Sequence, residues 1–273
     1  MTENSIAFIG GGNMASSLIT GLLANGYPRD KICASDTDAD ARGKLEENHN
    51  IATRNDNSLV ARDADIVVLA VKPQVLEIVA KNVASTISSE SAVISIAAGV
   101  PISALEHWLG DKSAIVRAMP NTPAVILAGA TGLFANKNVT SYQKRAIEKI
   151  FGAVGYSCWA QNEEHIDFIT AISGSGPAYF LMIFEIMQQL ATELGLPREQ
   201  AVELIMQTAL GTAKMARNSP LPAEKLRRQV TSPGGTTEAA IQAFKKGGLE
   251  DLFREAITEA VKRAAEISNG YSC

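Results

Sequence analysis

Cysteine is scarce in this sequence of 273 residues, and the three cysteines present, Cys33, Cys158 and Cys273, lie far apart. An odd number at such spacing matches neither a disulfide framework nor a cysteine metal site. Ordinary free thiols are typical of a reducing compartment. We therefore expect a cytoplasmic protein without disulfides.

The sequence also lacks an excess of positive charge, because 25 Lys and Arg residues face 29 Asp and Glu residues. A net charge of −4 does not attract a polyanion, so we expect no nucleic-acid partner. The N-terminus, MTENSIAFIGGG, has no basic segment or cleavage site of a signal peptide. The longest apolar run, residues 178–187, contains Glu185 and is shorter than the roughly 20 residues of a membrane span, so we expect no membrane association.

Histidine is rare, and His49, His107 and His165 have no partners spaced for a metal site or a catalytic triad. We predict that they are surface or structural residues and that the protein holds no metal. Ser173 and Ser175 do not occur in the G-x-S-x-G setting of a strand-to-helix elbow. The sequence therefore does not favour a hydrolase.

Strand-like and helix-like segments alternate in the first half of the chain. We predict strands at residues 5–9, 31–35, 64–71, 92–97 and 114–118, with a last sheet element near 155–159. This alternation predicts a parallel sheet with right-handed crossovers. From about residue 163 only helices are predicted, at residues 178–194, 198–218, 236–246 and 249–269. We expect a doubly wound parallel sheet in residues 1–162 and an all-α domain in residues 163–273.

The helix that contains residues 178–187 is apolar on nearly all sides. Such a helix must be covered all round, and the second half offers few other helices to cover it. We therefore expect a partner subunit to pack against it.

A glycine-rich turn follows the first strand and opens the first helix. Gly10, Gly12 and Ala15 match G-x-G-x-x-A, in which the glycines permit a tight turn and a close approach of a pyrophosphate to the backbone. The free N–H groups of a helix N-terminus bind phosphate well. A dinucleotide site is favoured over a glycine turn without a ligand.

The nature of the dinucleotide stays open. Asp36 ends the second strand, where an acid typically binds the adenosine ribose and favours NAD, with a cap on the next turn or helix as the weaker alternative. Ser35, Thr37 and Arg42 are candidates for binding a 2′-phosphate. Lys72 follows the 64–71 strand at the edge of the sheet where ligands bind, and it is either a hydrogen-bond donor there or a solvated lysine.

Three further loops are rich in small and polar residues. Residues 119–123, MPNTP, form a stiff loop between two prolines. Residues 173–177, SGSGP, precede the apolar helix, and residues 231–237, TSPGGTT, precede another helix. The last loop offers hydroxyls and N–H groups suited to a substrate carboxylate, although each loop could also be a structural turn.

FIGGGNMA, AVKPQ, SIAAG, MPNTP, SGSGPAY and TSPGGTTEAA occur in this order from the N-terminus to the last helix. In these motifs and their spacing the chain resembles the pyrroline-5-carboxylate reductases, which reduce a cyclic imine to L-proline in the last step of proline biosynthesis. The resemblance implies a Rossmann domain followed by a helical domain that forms a homodimer, with larger rings such as a decamer in some members. It implies NADPH as the cofactor, with NADH as an alternative. Asp36 departs from the NADPH expectation, because an acid at this position favours NAD.

The resemblance also assigns site residues. Cofactor contacts carry over to Gly10, Gly11, Gly12, Asn13, Met14, Ala15, Asp36, Asn57, Ala70, Val71, Lys72, Pro73, Ile96, Ala97 and Ala98. Substrate contacts carry over to Glu163, Ser232, Gly235, Thr236 and Thr237. The imine is already an electrophile when it is protonated, so positioning supplies most of the catalysis, about 7–11 kcal/mol at best. We predict that Thr237 is the catalytic residue and that its hydroxyl binds the ring nitrogen.

Two alternatives remain at this point. Other two-domain reductases of β-hydroxyacids or imines use a catalytic lysine in the helical domain, but the lysines here lie in mixed polar contexts (Lys214, Lys225, Lys245, Lys246 and Lys262). A nucleotide-sensing protein without turnover would share the fold, since fold alone does not prove activity. The complete SPGGTT loop argues against this second alternative.

Overall fold

The computed structural model describes residues 3–271, so Cys273 lies outside the described part of the chain. Eight strands form one sheet in the order β3-β2-β1-β4-β5-β6-β7-β8. The strands are β1 (Ile6–Ile9), β2 (Ile32–Ser35), β3 (Ala52–Arg54), β4 (Ile66–Leu69), β5 (Ala92–Ser95), β6 (Ala114–Met119), β7 (Gly129–Ala135) and β8 (Gly155–Trp159).

Seven α-helices connect or follow these strands up to residue 169: α1 (Asn13–Ala24), α2 (Ala39–His49), α3 (Asn57–Ala61), α4 (Pro73–Ala84), α5 (Ile102–Leu109), α6 (Ser141–Gly152) and α7 (Glu164–Ile169). A π-helical turn (Thr170–Gly174) links α7 to the remaining helices. These are α8 (Gly176–Glu193), α9 (Arg198–Asn218), α10 (Ala223–Gln229), α11 (Thr236–Lys246) and α12 (Leu249–Asn269).

The order of the strands reverses between β1 and β4, which are parallel neighbours with Ile9 aligned to Leu69. Chain connections run outward in both directions from this point, so their loops separate and leave a crevice at the carboxyl ends of the strands. The glycine turn after β1 and the loop after β4 both lie at this crevice. The predicted Rossmann arrangement of the first half is confirmed.

One part of the sheet differs from the prediction of parallel strands. β7 pairs with β6 in antiparallel register, with Met119 opposite Gly132, and β8 runs parallel to β7. The sequence of β7, GATGLFA, has two glycines and no β-branched residue except Thr131, which explains why its strand character was missed. β3 was also missed, because it has only three residues.

Apolar side chains cover both faces of the sheet. On one face the cluster includes Phe8 of β1, Leu18 of α1 and Phe151 of α6. On the other face Leu76 of α4 and Leu105 of α5 pack against the strands. This double cover is the reason that β4 is apolar at every position and β5 at every position except Ser95.

The chain forms two compact units. One consists of the described residues up to Pro177 together with those from Ala260 onward, and the other of Ala178–Glu259. The predicted domain boundary at 162/163 instead follows the change from strands to helices, and it stays a prediction. α7 belongs to the first unit because its residues contact β6 and β7.

Beyond Trp159 the described part of the chain is helical, as predicted, and α9, α11 and α12 have the predicted bounds. Most of α8 is exposed in the single chain, with Phe180, Leu181 and Met182 each more than 60% exposed. The helical run Glu164–Glu193 is long and apolar enough to span a membrane by length and composition, and 22% of its most apolar window is buried. The run is longer than the ten residues considered in the sequence because α7 and the π-helical turn extend it.

Candidate active site

Gly10 lies in the turn after β1, where the backbone passes close to Ala70, which directly follows β4. Its φ of +102° lies in the region that favours glycine, and a Cβ at this position would lie 2.6 Å from the carbonyl oxygen of Ala70. The N–H of Gly10 also donates to the carbonyl of Ser35 at 2.8 Å. The first glycine is therefore required by the packing of the protein itself.

Gly12 has a different environment. It is the N-cap residue of α1, and no atom lies within 4 Å of the position that a Cβ would take. No side chain caps this end of α1, and its first turn contains no acidic residue. Open space next to free helical N–H groups fits the pyrophosphate of a dinucleotide, and Gly11, Gly12, Asn13 and Met14 form this turn. The side chain of Ala15 is buried in the apolar cluster, and its contact with a cofactor stays a prediction.

Asp36 follows β2, and its carboxylate binds the backbone of the glycine turn. One carboxylate oxygen, Oδ2, accepts the N–H of Gly11 at 2.7 Å, and the other, Oδ1, accepts the N–H of Asp38 at 2.9 Å. Arg42 donates from Nη1 to the backbone carbonyls of Asp36 at 2.8 Å and Thr37 at 3.3 Å. The carboxylate therefore has a structural task whether or not it meets a ribose.

The other predicted cofactor residues border the same edge of the sheet. Asn57 begins α3 and accepts the Ser35 hydroxyl at 2.8 Å. Lys72 is exposed and is the N-cap residue of α4, with Pro73 in the first turn. The Ile96–Ala98 loop follows β5, where the hydroxyl of Ser95 accepts the N–H of Ala97 at 3.3 Å. Val71, directly before Lys72, packs against the apolar cluster that contains Leu76 and Leu105.

Glu163 is part of a charged cluster that the sequence did not reveal. Its Oε1 accepts the N–H of Ile102 at 2.7 Å and Nη1 of Arg117 at 3.1 Å. Arg117, 2% exposed in β6, also donates from Nη2 to Asp167 at 2.7 Å and to Ser268 at 3.3 Å. A single arginine within the apolar strand AIVRAM was the available signal, since a buried charge requires partners.

A hydrogen bond connects the loop of residues 119–123, MPNTP, to the segment of residues 173–177, SGSGP. Asn121 donates from Nδ2 to the carbonyl of Ser173 at 3.1 Å, and its Oδ1 accepts the N–H of Ala130 at 2.8 Å. Gly174 lies so close to Met119 that an added Cβ would lie 2.4 Å from Cε of that side chain. Both segments therefore have at least a structural role.

The predicted substrate loop lies in the second compact unit. Gly234 has a φ of +71°, and the N–H of Gly235 donates to the carbonyl of Ser232 at 3.0 Å, which forms a tight turn before α11. Gly235 is the N-cap residue and has no side-chain cap, and Thr236 and Thr237 begin the helix with exposed side chains. Among the described residues the Thr237 hydroxyl has no hydrogen-bond partner. The loop thus presents hydroxyls and N–H groups together, as an anion requires.

Two further titratable side chains, those of His49 and Cys33, are buried or half-buried. His49 Nε2 lies 2.8 Å from the Ser16 hydroxyl, and burial lowers the pKa of this imidazole. Burial also raises the pKa of the Cys33 thiol, and Cys33 and Cys158 are both free. No cluster of metal-ligating side chains occurs within residues 3–271.

Two family models match this chain. The model for pyrroline-5-carboxylate reductase dimerisation matches residues 163–267, and the model for NADP oxidoreductase, coenzyme F420-dependent, matches residues 5–99. A pyrroline-5-carboxylate reductase of Pseudomonas aeruginosa is 46% identical over 268 residues, which cover 98% of each chain. The chain belongs to the pyrroline-5-carboxylate reductase family. The resemblance noted in the motifs is confirmed.

Solved structures of pyrroline-5-carboxylate reductases agree with this assignment. The enzyme from Coxiella burnetii is 46% identical with a TM-score of 0.94, covering 98% of this chain and 99% of that one. The Plasmodium falciparum enzyme, solved with NADP bound, is 29% identical with a TM-score of 0.87, again covering 98% and 99%. Membership of the pyrroline-5-carboxylate reductase family confirms the predicted α/β fold class, the class of NAD(P)H-dependent oxidoreductase, and NADP(H) as cofactor.

Membership of the pyrroline-5-carboxylate reductase family also bears on the partners. The match to a dimerisation model over residues 163–267 supports oligomerisation, and membership of this family of reductases supports a small-molecule substrate. The exposed apolar side chains of α8 lie within this segment. We therefore expect a partner subunit to pack against α8.

Proposed function

We propose that this protein reduces 1-pyrroline-5-carboxylate to L-proline with NADPH, the last step of proline biosynthesis. The observation that carries the proposal is the 46% identity to a pyrroline-5-carboxylate reductase over 98% of both chains. The open space at Gly12, beside the uncapped start of α1, supports dinucleotide binding by this chain itself.

The cofactor site is proposed at the β1/β4 crevice. The turn Gly10–Ala15, to which Asp36 is bound through Gly11, would bind the pyrophosphate. The loop between β2 and α2 together with Asn57 would bind the adenosine end, and the loops Ala70–Pro73 and Ile96–Ala98 the rest of the molecule. This assignment is supported by the reversal of strand order at this point and by the exposed helix starts around it. When bound, NADPH supplies the hydride that the reaction needs.

The substrate carboxylate is proposed to bind at the start of α11. Ser232 and Thr236 offer hydroxyls, and Thr236 and Thr237, directly after the N-cap residue Gly235, offer N–H groups at the positive end of the helix dipole. Glu163 is proposed to lie near the substrate as well, with one carboxylate oxygen held by Ile102 and Arg117. Holding the acid group orients the C=N bond of the ring for reduction.

Thr237 is proposed to hold the ring nitrogen. Its hydroxyl can donate a hydrogen bond to the imine nitrogen or accept one from the iminium N–H, which fixes the ring and assists its protonation. No stronger acid is required, because the iminium form already carries the proton. The exposed position of Thr237 at the start of α11 makes this hydroxyl accessible.

The test of the active site is the Thr237→Ala variant. We expect kcat to fall by roughly 10²-fold, the usual size of a lost proton-transfer or orienting group, and Thr237→Ser to recover most of the activity. Oxidation of NADPH in the presence of pyrroline-5-carboxylate is followed by absorbance, and circular dichroism checks the fold.

Thr258→Ala is the matched control, because the Thr258 hydroxyl donates to the carbonyl of Arg254 within α12. This variant should retain wild-type kcat. An unchanged kcat in Thr237→Ala would remove Thr237 from the mechanism. A panel with NADH and with other imine substrates measures the preference for cofactor and substrate in the wild-type protein.

The oligomer is proposed to be a homodimer that forms through the helical segment 163–273, with a larger ring such as a decamer built from dimers. Exposed apolar side chains on α8 support a second copy as the partner, and lipid or nucleic acid is not proposed. The two free thiols in the described residues support the reducing cytoplasm as the location.

A further inference from the structure

Three side chains near the end of β2 are candidates for binding a 2′-phosphate, and their surroundings separate them. Ser35 is fully buried, and its hydroxyl donates to Asn57 at 2.8 Å. Thr37 is exposed and uncharged. Arg42 is half-buried and carries the positive charge that a phosphate dianion requires. The structure thus favours Arg42 among the three.

The guanidinium of Arg42 is held in place without a counter-ion. Nη1 donates to the carbonyls of Asp36 and Thr37, the two residues that follow β2. Within the described residues Arg42 forms no ion pair, so its charge is not neutralised by a carboxylate. Two contacts through one nitrogen leave the other N–H groups available, since a guanidinium has five.

The carboxylate of Asp36 binds the backbone of the glycine turn and of the segment before α2. Both of its oxygens accept backbone N–H groups, from Gly11 and from Asp38, and these hydrogen bonds stabilise the carboxylate where it is. The carboxylate joins the glycine turn to the start of α2. Its presence is explained by this structural connection rather than by a ribose contact.

We propose that Arg42 is the residue that selects a dinucleotide with a 2′-phosphate, and that Asp36 is a positioning residue for the glycine turn. The inference rests on the proposed cofactor site. Arg42 would bind the 2′-phosphate, and Asp36 would hold Gly11 for the pyrophosphate. Removing the Arg42 charge then changes the preference between cofactors, whereas removing the Asp36 charge weakens both.

Binding of two small probes tests the role of Arg42 without any turnover. Adenosine 2′,5′-bisphosphate and 5′-AMP differ only in the 2′-phosphate, and calorimetry measures their Kd values. We expect Arg42→Gln to weaken the bisphosphate about tenfold or more, the usual size of a charged hydrogen bond, and to leave 5′-AMP unchanged. Added salt should weaken the bisphosphate in the wild type and much less in the variant.

Arg54→Gln is the control, because Arg54 is a guanidinium at the same edge that lines a separate pocket with Cys33 and Leu59. It should leave both Kd values unchanged. A loss of bisphosphate binding in Arg54→Gln but not in Arg42→Gln would overturn the assignment, as would an equal loss of both probes in Arg42→Gln.

Asp36→Asn separates the two roles of the carboxylate. A positioning role predicts that both probes weaken by the same factor. If the bisphosphate instead bound more tightly while 5′-AMP weakened, Asp36 would be a ribose ligand and the assignment would be wrong. Failure of the wild type to reduce pyrroline-5-carboxylate would contradict the proposed function alone, because the probe measurements do not depend on turnover.

Discussion

Gly10 and Gly12 are two residues apart in one turn, yet each is a glycine for a different reason. Gly10 has a positive φ and would contact Ala70 through any side chain, so the protein itself requires it. Gly12 has an ordinary φ of −71° and open space beside it, so only a ligand requires it. The two residues can therefore be tested against each other.

We expect Gly10→Ala to lower the free energy of unfolding by about 1–3 kcal/mol or more, because the backbone is strained and Ala70 must move. Gly12→Ala should change it by less than about 0.5 kcal/mol, but should weaken the binding of NADPH because its methyl group enters the ligand space. Urea unfolding and NADPH titration measure the two effects. Normal NADPH affinity in Gly12→Ala would contradict the proposed pyrophosphate site at this turn.

At the scale of elements, β6 shows how one charged residue connects helices to a sheet. Arg117 binds Glu163 before α7, Asp167 within α7 and Ser268 near the end of α12. Gly99 after β5 lies against Ile267 of the same helix, where an added Cβ would lie 2.3 Å from Cγ2. These contacts explain why α7 and the end of α12 belong to the unit that contains the sheet.

Removing Arg117 should therefore destabilise the first unit strongly. Arg117→Leu leaves the carboxylates of Glu163 and Asp167 without their cation, and we expect a loss of about 3–5 kcal/mol in the free energy of unfolding. Arg145→Leu, an exposed position on α6, should change it by less than about 0.5 kcal/mol. Equal stability of the two variants in urea would show that the cluster contributes nothing.

The helices of the second half were easier to predict from sequence than the outer strands. α12 has apolar residues at three- and four-residue spacing over 21 positions, so its periodicity is clear. β3 has three residues, and β7 contains two glycines, so neither has enough residues of strand type to show a pattern. The antiparallel direction of β7 depends on its pairing with β6, and no local pattern of residue types shows this direction.

At the scale of the whole molecule, the exposed apolar surface of α8 requires a partner. Leu181 and Met182 are 61% and 63% exposed in the single chain, and burying such side chains yields about 1.5–3 kcal/mol each. The helix also passes a length and composition test for a membrane span, which an interface helix satisfies equally. The family model that matches residues 163–267 describes dimerisation, and on this basis we propose a second copy of the chain as the partner of α8.

A charge placed on this surface should prevent association. We expect Leu181→Glu to convert the oligomer into smaller species, because a carboxylate would be desolvated in the interface. Gln189→Glu adds the same charge beside Glu193, with which Gln189 forms a hydrogen bond, and should leave the mass unchanged. Sedimentation velocity measures both. A Leu181→Glu variant with wild-type mass would show that α8 is not the interface.

The sequence by itself determined the family, the order of the elements other than β3 and β7, and the candidate residues, because glycine turns, apolar periodicity and loop motifs are local patterns. Only the tertiary structure decided what several of these residues do. It showed that Asp36 holds Gly11, that Glu163 is bound to Arg117, and that Gly10 is required by Ala70. Each of these facts joins residues more than twenty positions apart, and only the folded chain brings such residues within hydrogen-bonding distance.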